Sequence, residues 1–169
     1  MPGSTRHASL RRFARAFTLV EVMVVVVIIG LLAAAGLPGY RHLTMRSKAT
    51  ALENDLRQFA TAIQTYTLQN GHWPADGDPQ VIPAELAQAI PDNFTRTTPI
   101  GGVYKWNYDI PADGIAAKAA IVVQTASGNA VSDDEALFLM IDRQMDDGVL
   151  DTGTIQVGST NSLVFIIEK

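Results

Sequence analysis

From Phe17 to Leu37 the chain runs for 21 residues with a single ionisable side chain, Glu21. At a rise of about 1.5 Å per residue, a helix of that length spans about 31 Å, close to the hydrocarbon thickness of a bilayer. Such a chain must satisfy two solvents, an apolar one for this run and water for the remainder. The first sixteen residues hold four arginines (Arg6, Arg11, Arg12 and Arg15) and no acid, and the positive-inside tendency keeps such a flank cytoplasmic. The expected topology is amino terminus in, carboxyl-terminal part out.

Two plainer readings fit the same run. Ala33-Ala34-Ala35 followed by Gly36 has the small residues of a secretory cleavage site, and an uncleaved signal anchor needs only the apolar length. Against the first, the run exceeds the roughly 7 to 15 residues of a signal core. Glu21 weighs against both, because a carboxylate within a membrane costs on the order of 2.5 to 3.5 kcal/mol on insertion scales and marks function. No cation comes after it within two turns, so its partner comes from upstream or from another chain. A cut between Ala16 and Phe17 would place a new amino group four residues before Glu21, available to the glutamate of a neighbouring subunit.

Ala16-Phe17-Thr18-Leu19-Val20-Glu21, followed by Val22-Met23-Val24-Val25-Val26-Val27-Ile28-Ile29-Gly30, resembles the prepilin processing motif of type IV pilins and type II secretion pseudopilins. The resemblance implies removal of a sixteen-residue leader by prepilin peptidase at the cytoplasmic face and amino-methylation of Phe17. It also implies use of Glu21 in subunit registration during filament assembly. Ala16 stands where these families usually carry glycine before the cut. Pro38, flanked by Gly36 and Gly39, favours a bend after the span, and pilin helices commonly kink or melt at such a proline.

Beyond Pro38, Leu52, Leu56, Phe59, Ile63 and Tyr66 recur at steps of four and three, which places them on one helical face. Polar residues fill the other side, and Asn70-Gly71 supplies a stop. A helix from about residue 17 to 70 is therefore expected, its second half packed on a sheet rather than on a coiled-coil partner. Residues 71–100 are proline-rich and read as loop with one helical turn around Ala84 to Ile90. Trp73 within them reads as a lid on the core.

Val103 to Tyr108 alternates with Tyr104, Trp106 and Tyr108 on one face, and Ala119 to Thr125 reads as its antiparallel partner. The aromatic face offers either a glycan platform or packing beneath the helix, and packing is the expectation. Ser132-Asp133-Asp134-Glu135 has the capping-box pattern, which predicts a short helix ending near Asp147-Gly148. Thr154 to Val157 and Leu163 to Ile167 then close the sheet. The class is α+β and type IV pilin-like, a long amino-terminal helix on a small antiparallel sheet. The chain divides into residues 1–16 as leader, 17–37 as membrane or filament-core helix, 38–70 as its amphipathic continuation and 71–169 as head.

Charge narrows the partners. The formal net charge of -4 becomes -8 once the four leader arginines are removed, leaving 9 basic against 17 acidic side chains. A body that acidic is repelled by phosphate backbones, so the head is not expected to bind nucleic acid. The absence of cysteine removes disulfides, thiolate metal sites and cysteine nucleophiles together.

Asp142, Asp146, Asp147 and Asp151 surround Gly148 and form the candidate metal site. Asp142 and Asp146 are four apart, where like charges on one helical face repel by a few tenths of a kcal/mol, roughly. A calcium ion would relieve that repulsion, and a solvated acidic turn would need no ion. The spacing is not that of an EF-hand loop; the resemblance supplies the support, since major pseudopilins bind calcium in a carboxyl-terminal loop. Only His72 among the three histidines lies in the head, so a zinc site or a serine-histidine pair has no material and an enzyme is not expected.

The expected function is a structural subunit that polymerises through its amino-terminal helix into a pilus or pseudopilus. The alternative is a minor pilin whose head binds a surface, a glycan or a secreted substrate; a third is a soluble domain released at the alanine run. The partners implied by the resemblance are other copies of the chain, prepilin peptidase, an inner-membrane assembly platform and, before assembly, membrane lipid. The place implied is the bacterial inner membrane, as a single pass with a cytoplasmic amino terminus, and afterwards a periplasmic or extracellular filament.

Overall fold

A computed structural model describes residues 17–169 and, within them, every side chain except those of residues 36–38. The leader and Ala16 lie outside the described residues, as does the side chain of Pro38. Helix α1 spans Leu19–Asn70 and passes through Pro38 without an interruption of its helical assignment. The chain divides into two compact units, one ending at Tyr40 and one running from Arg41 to Lys169.

In the first unit every residue from Phe17 to Ala35 is exposed. The helix starts on Thr18, whose hydroxyl accepts a hydrogen bond from the Glu21 backbone N–H at 3.2 Å. That bond satisfies one of the donors a helix start leaves unpaired. Thr18 and Glu21 have the three-residue spacing of a capping box, with the acid in the first turn, where the helix dipole favours negative charge.

The second unit contains the rest of α1, strands β1 (Val103–Tyr108) and β2 (Ala119–Gln124), helix α2 (Glu135–Met145), and strands β3 (Ile155–Val157) and β4 (Leu163–Glu168). The strands form one sheet in the order β1-β2-β4-β3, every neighbouring pair antiparallel. Ala49, Leu52, Leu56, Phe59 and Ile63 of α1 are buried in one core with the inner face of this sheet, where Tyr104, Trp106, Ile121, Val123 and Leu163 point. Phe59 is the centre of the contact, its ring 5.0 Å from Tyr104 and 5.1 Å from Phe94 in edge-on geometry, an arrangement aromatic quadrupoles favour. The α1 stripe is the one the sequence predicts, and it ends as predicted: Gly71 adopts φ 75° and its N–H returns to the Thr67 carbonyl.

Strand β2 is buried on both faces. Its outer residues Ala120 and Val122 join Val164 and Ile166 of β4 in a second small core, which the β1–β2 connection covers with Ala112, Ile115 and Ala117. Asp113 fastens that cover. Its carboxylate accepts hydrogen bonds from the hydroxyls of Ser159, Thr160 and Ser162 and from the Thr160 backbone N–H, and so ties the connection to the β3–β4 turn.

Both edges of the sheet are occupied. Along β1, the Gly77 and Gln80 N–H groups donate to the Trp106 and Tyr104 carbonyls, while Asp76 accepts from Tyr108 N. Along β3, Asp146 accepts from Ile155 N and the Leu150 carbonyl from Val157 N. Exposed edges invite strand addition, and these offer little to add to.

Two sequence expectations need adjustment. Helix α2 is capped by Asp134, whose carboxylate accepts from Ala136 N at 3.1 Å, whereas the Ser132 hydroxyl accepts from Asp134 N. The helix therefore begins two residues later than the Ser132 box would place it. The helical turn expected over residues 84–90 is a 3-10 turn at Ala84–Leu86, and a second one, at Asp92–Thr95, carries the buried Phe94.

Candidate functional site

The first candidate is the amino-terminal helix. Its most apolar stretch is long enough to cross a membrane, and no part of that stretch is buried. Leu19 is 82% exposed and Met23, on the same face four residues on, 63%. Monomeric soluble proteins rarely leave contiguous apolar surface beyond a few hundred Å², roughly. The structure thus presents an apolar helical surface interrupted by one acid. Glu21 sits in its first turn, exposed, with its backbone held by Thr18. Sequence reasoning missed Thr18, although its spacing from Glu21 signals the cap.

The second candidate is the aspartate group after α2. The apolar face of α2 turns Leu137, Phe138 and Ile141 into the core, and Asp142, one turn past Phe138, goes in with them. Its side chain is inaccessible to solvent and neither carboxylate oxygen has a hydrogen-bond partner. Asp146 is the C-cap, and Asp147 follows it. Each of the three offers a carboxylate oxygen within 4.8 Å of the others. Asp151 is exposed and lies outside this group.

The neighbours are engaged differently from Asp142. One oxygen of Asp146 accepts from the Thr154 and Ile155 backbone N–H groups. Asp147 accepts from Val149 N at 2.9 Å and from the Thr152 hydroxyl at 2.8 Å. These bonds shape the loop over residues 146–155. Gly153, at φ 74°, lies so close to Asp146 that a Cβ there would overlap its carboxylate. The electrostatics follow the packing. Burial, and next the charges of Asp147 and Asp146, push the Asp142 carboxyl above its ordinary range. The Gly148 and Val149 N–H groups oppose that shift from close by, without completing a hydrogen bond. For Asp146, desolvation is outweighed by the Thr154 and Ile155 hydrogen bonds, which hold it below that range.

Comparison with known proteins adds the decisive observation at the amino terminus. Residues 11–37 match the prokaryotic N-terminal methylation motif. The type II secretion system core protein G of Pseudomonas aeruginosa is 40% identical over 65 residues, which are 38% of this chain and 46% of that protein. The chain carries the amino-terminal motif of prepilin-type proteins and is similar to type IV pilins and type II secretion pseudopilins. Its similarity to pilins extends further along the chain. The type IV major alpha-pilin of Moraxella bovis is 27% identical over 135 residues, 80% of this chain and 82% of that pilin. The major type IV pilin PilA1 from Clostridium difficile shares the fold, with a TM-score of 0.51 at 13% identity over 76% of this chain and 98% of that one. The stretch matching protein G is less than half of that protein's length.

As a pilin-like head, residues 71–169 offer no exposed aromatic platform among the strand residues singled out from sequence. Tyr104 and Trp106 are fully buried, and Trp73 stacks on Trp106 at 6.0 Å and on Tyr108 at 6.5 Å. Burial and the neighbouring Asp55, which accepts a hydrogen bond from the Tyr104 hydroxyl at 2.7 Å, push that phenol above its ordinary range. These aromatics anchor the sheet to α1 and to the loop before it.

Proposed function

We propose that the chain is a structural subunit that polymerises through its amino-terminal helix into a type IV pilus or a type II secretion pseudopilus. The observation that carries this reading is the unburied apolar surface of residues 17–35 with Glu21 in its first turn. Before assembly that surface is covered by lipid, with the chain a single pass through the inner membrane. In the filament it is covered by the same helix of other copies. Apolar burial contributes about 25 cal/mol per Å² in either surrounding, so leaving the bilayer is possible only if the neighbours cover comparable area. An inner-membrane platform is the partner expected to drive that transfer, and the filament then lies in the periplasm or outside the cell.

Processing prepares the contact. Prepilin peptidase removes residues 1–16 between Ala16 and Phe17, and the new Phe17 amine is methylated. That amine and the Glu21 carboxylate of an adjacent subunit form the ion pair that sets register, since an unpaired carboxylate in an apolar core is costly. Pro38 gives the helix a point at which to adjust its path. No step calls for catalysis by this chain. Glu21→Gln tests the reading: the variant should insert and be processed normally yet yield few or no filaments in electron micrographs. Wild-type filament yield from Glu21→Gln would contradict it.

We propose further that Asp142, Asp146 and Asp147 hold a calcium ion. Two features favour it: both Asp142 oxygens are buried without partners, and Asp146 keeps one oxygen clear of the loop hydrogen bonds. The ion would neutralise three converging carboxylates and fasten α2 to the loop leading into β3. Calorimetry with calcium should show heat of binding together with a rise in Tm; no heat and no stabilisation would remove the site.

A further inference from the structure

No acidic residue occurs between Glu21 and Glu53, while Arg41, His42, Arg46 and Lys48 fall within eight residues of one another just after the apolar run. All four are exposed on α1. Arg41 and Lys48, seven apart, share one helical face; His42 and Arg46, four apart, share the next. The ion pairs among the described residues are Arg57–Glu53, Lys105–Asp76 and Lys118–Glu168, so none of the three permanent cations is in an ion pair with another described residue. From residue 49 onward the chain is strongly acidic, with 6 basic against 16 acidic side chains. The basic segment is thus an isolated patch of opposite sign.

Its position along the chain gives it a surface to meet. Three residues lie between Leu37, the end of the apolar run, and Arg41, and the four steps from one to the other reach about 14 Å at most even when extended. Headgroup layers add roughly 5 to 8 Å on each side of the hydrocarbon. The first cation is therefore tethered at the membrane surface whatever path the chain takes. Tyr40 and Leu43, both about two-thirds exposed, lie among the cations. An amphipathic ring and an aliphatic side chain beside basic groups suit the boundary between headgroups and hydrocarbon better than they suit the carboxylates of another head.

We propose that Arg41, Arg46 and Lys48 form a juxtamembrane collar that binds anionic phospholipid headgroups on the side of the bilayer where the head resides. The inference rests on the membrane-resident stage of the function proposed above. It gives the mature subunit an asymmetry opposite to that of its precursor: once residues 1–16 are gone, its basic side chains near the bilayer all lie after the span. Each such cation strengthens attachment to an anionic surface about fivefold, so the three together amount to on the order of 100-fold, diminishing as salt is raised. The collar retains the subunit at the membrane until assembly withdraws it.

The absence of cysteine makes the test direct. The full chain carrying Ser47→Cys is spin-labelled at that exposed position and placed in nanodiscs of phosphatidylcholine, with or without a third of phosphatidylglycerol. Accessibility to a neutral, water-soluble paramagnetic relaxant is then read. The label should be several-fold less accessible in the anionic discs, and the difference should vanish in 1 M NaCl and in the Arg41→Gln/Arg46→Gln/Lys48→Gln variant. Equal accessibility in the two lipids would overturn the collar while leaving the filament reading intact. So would protection that depends on the number of subunits per disc regardless of lipid charge, which would assign the patch to a neighbouring copy. A chain that failed to enter the discs would overturn the membrane reading itself, and the collar with it.

Discussion

Two aspartates in the head titrate in opposite directions because one is fully partnered and the other is not. Burial acts to raise the pKa of Asp113, but the hydrogen bonds from Ser162, Thr160 and Ser159 outweigh it and bring the pKa down from 3.8 to about 2. A depressed carboxyl contributes stability that is fully present above its unfolded pKa and lost as pH falls through the folded one. At about 1.4 kcal/mol per unit, and discounted for its half-buried position, the contribution is roughly 1 to 2 kcal/mol. Asp113→Asn should lose that amount at pH 7 in urea denaturation, and the gap from wild type should close between about pH 4 and pH 2. Asp142 carries the reverse sign: its folded pKa is raised, so without a bound cation it favours the folded state below the unfolded pKa and opposes it as pH rises through the folded value. In chelator at pH 7, Asp142→Asn should therefore unfold at a higher temperature than wild type. With calcium present the order should reverse, since the variant loses a ligand.

At the scale of elements, legibility tracked the range of the interactions involved. The α1 stripe from Leu52 to Ile63 was readable because its period is local, and the strand over residues 103–108 because alternation is local too. The start of α2 was not, because Ser132, Asp133 and Asp134 are all capping residues in a row and the first turn chooses among them by backbone geometry. Asp134→Ala should cost about 0.5 to 2 kcal/mol in chemical denaturation, and Ser132→Ala distinctly less. Equal losses would restore the Ser132 box. The sheet order lay beyond local pattern, since β4 inserts between β2 and β3 through pairing distant in sequence. Yet Ala119 to Val123 is a continuous apolar run, a signal of burial on both faces that was available. In the site, the step of four from Phe138 to Asp142 placed that acid on the apolar face and foreshadowed its burial. The position of Asp151 apart from the other three depends on the path of the loop, which no spacing rule encodes.

For the whole molecule, the distribution of unsatisfied surface decides how copies associate. The sheet edges are occupied by the 76–81 segment and by the loop after α2, so strand addition has little to build on. The most extended apolar surface exposed among the described residues is on the amino-terminal helix, and a surface of that length marks a site of contact with lipid or protein. On the proposed reading, a subunit of this kind is membrane-bound through its helix and polymeric once the helices meet. The proposed assembly depends on where the mature chain begins, because the proposed ion pair of Glu21 requires a free amine at Phe17. The most direct test is the intact mass of the mature protein purified from membranes or filaments. The account requires a chain that begins at amino-methylated Phe17. A chain beginning near Gly36, after the alanine run, would contradict it.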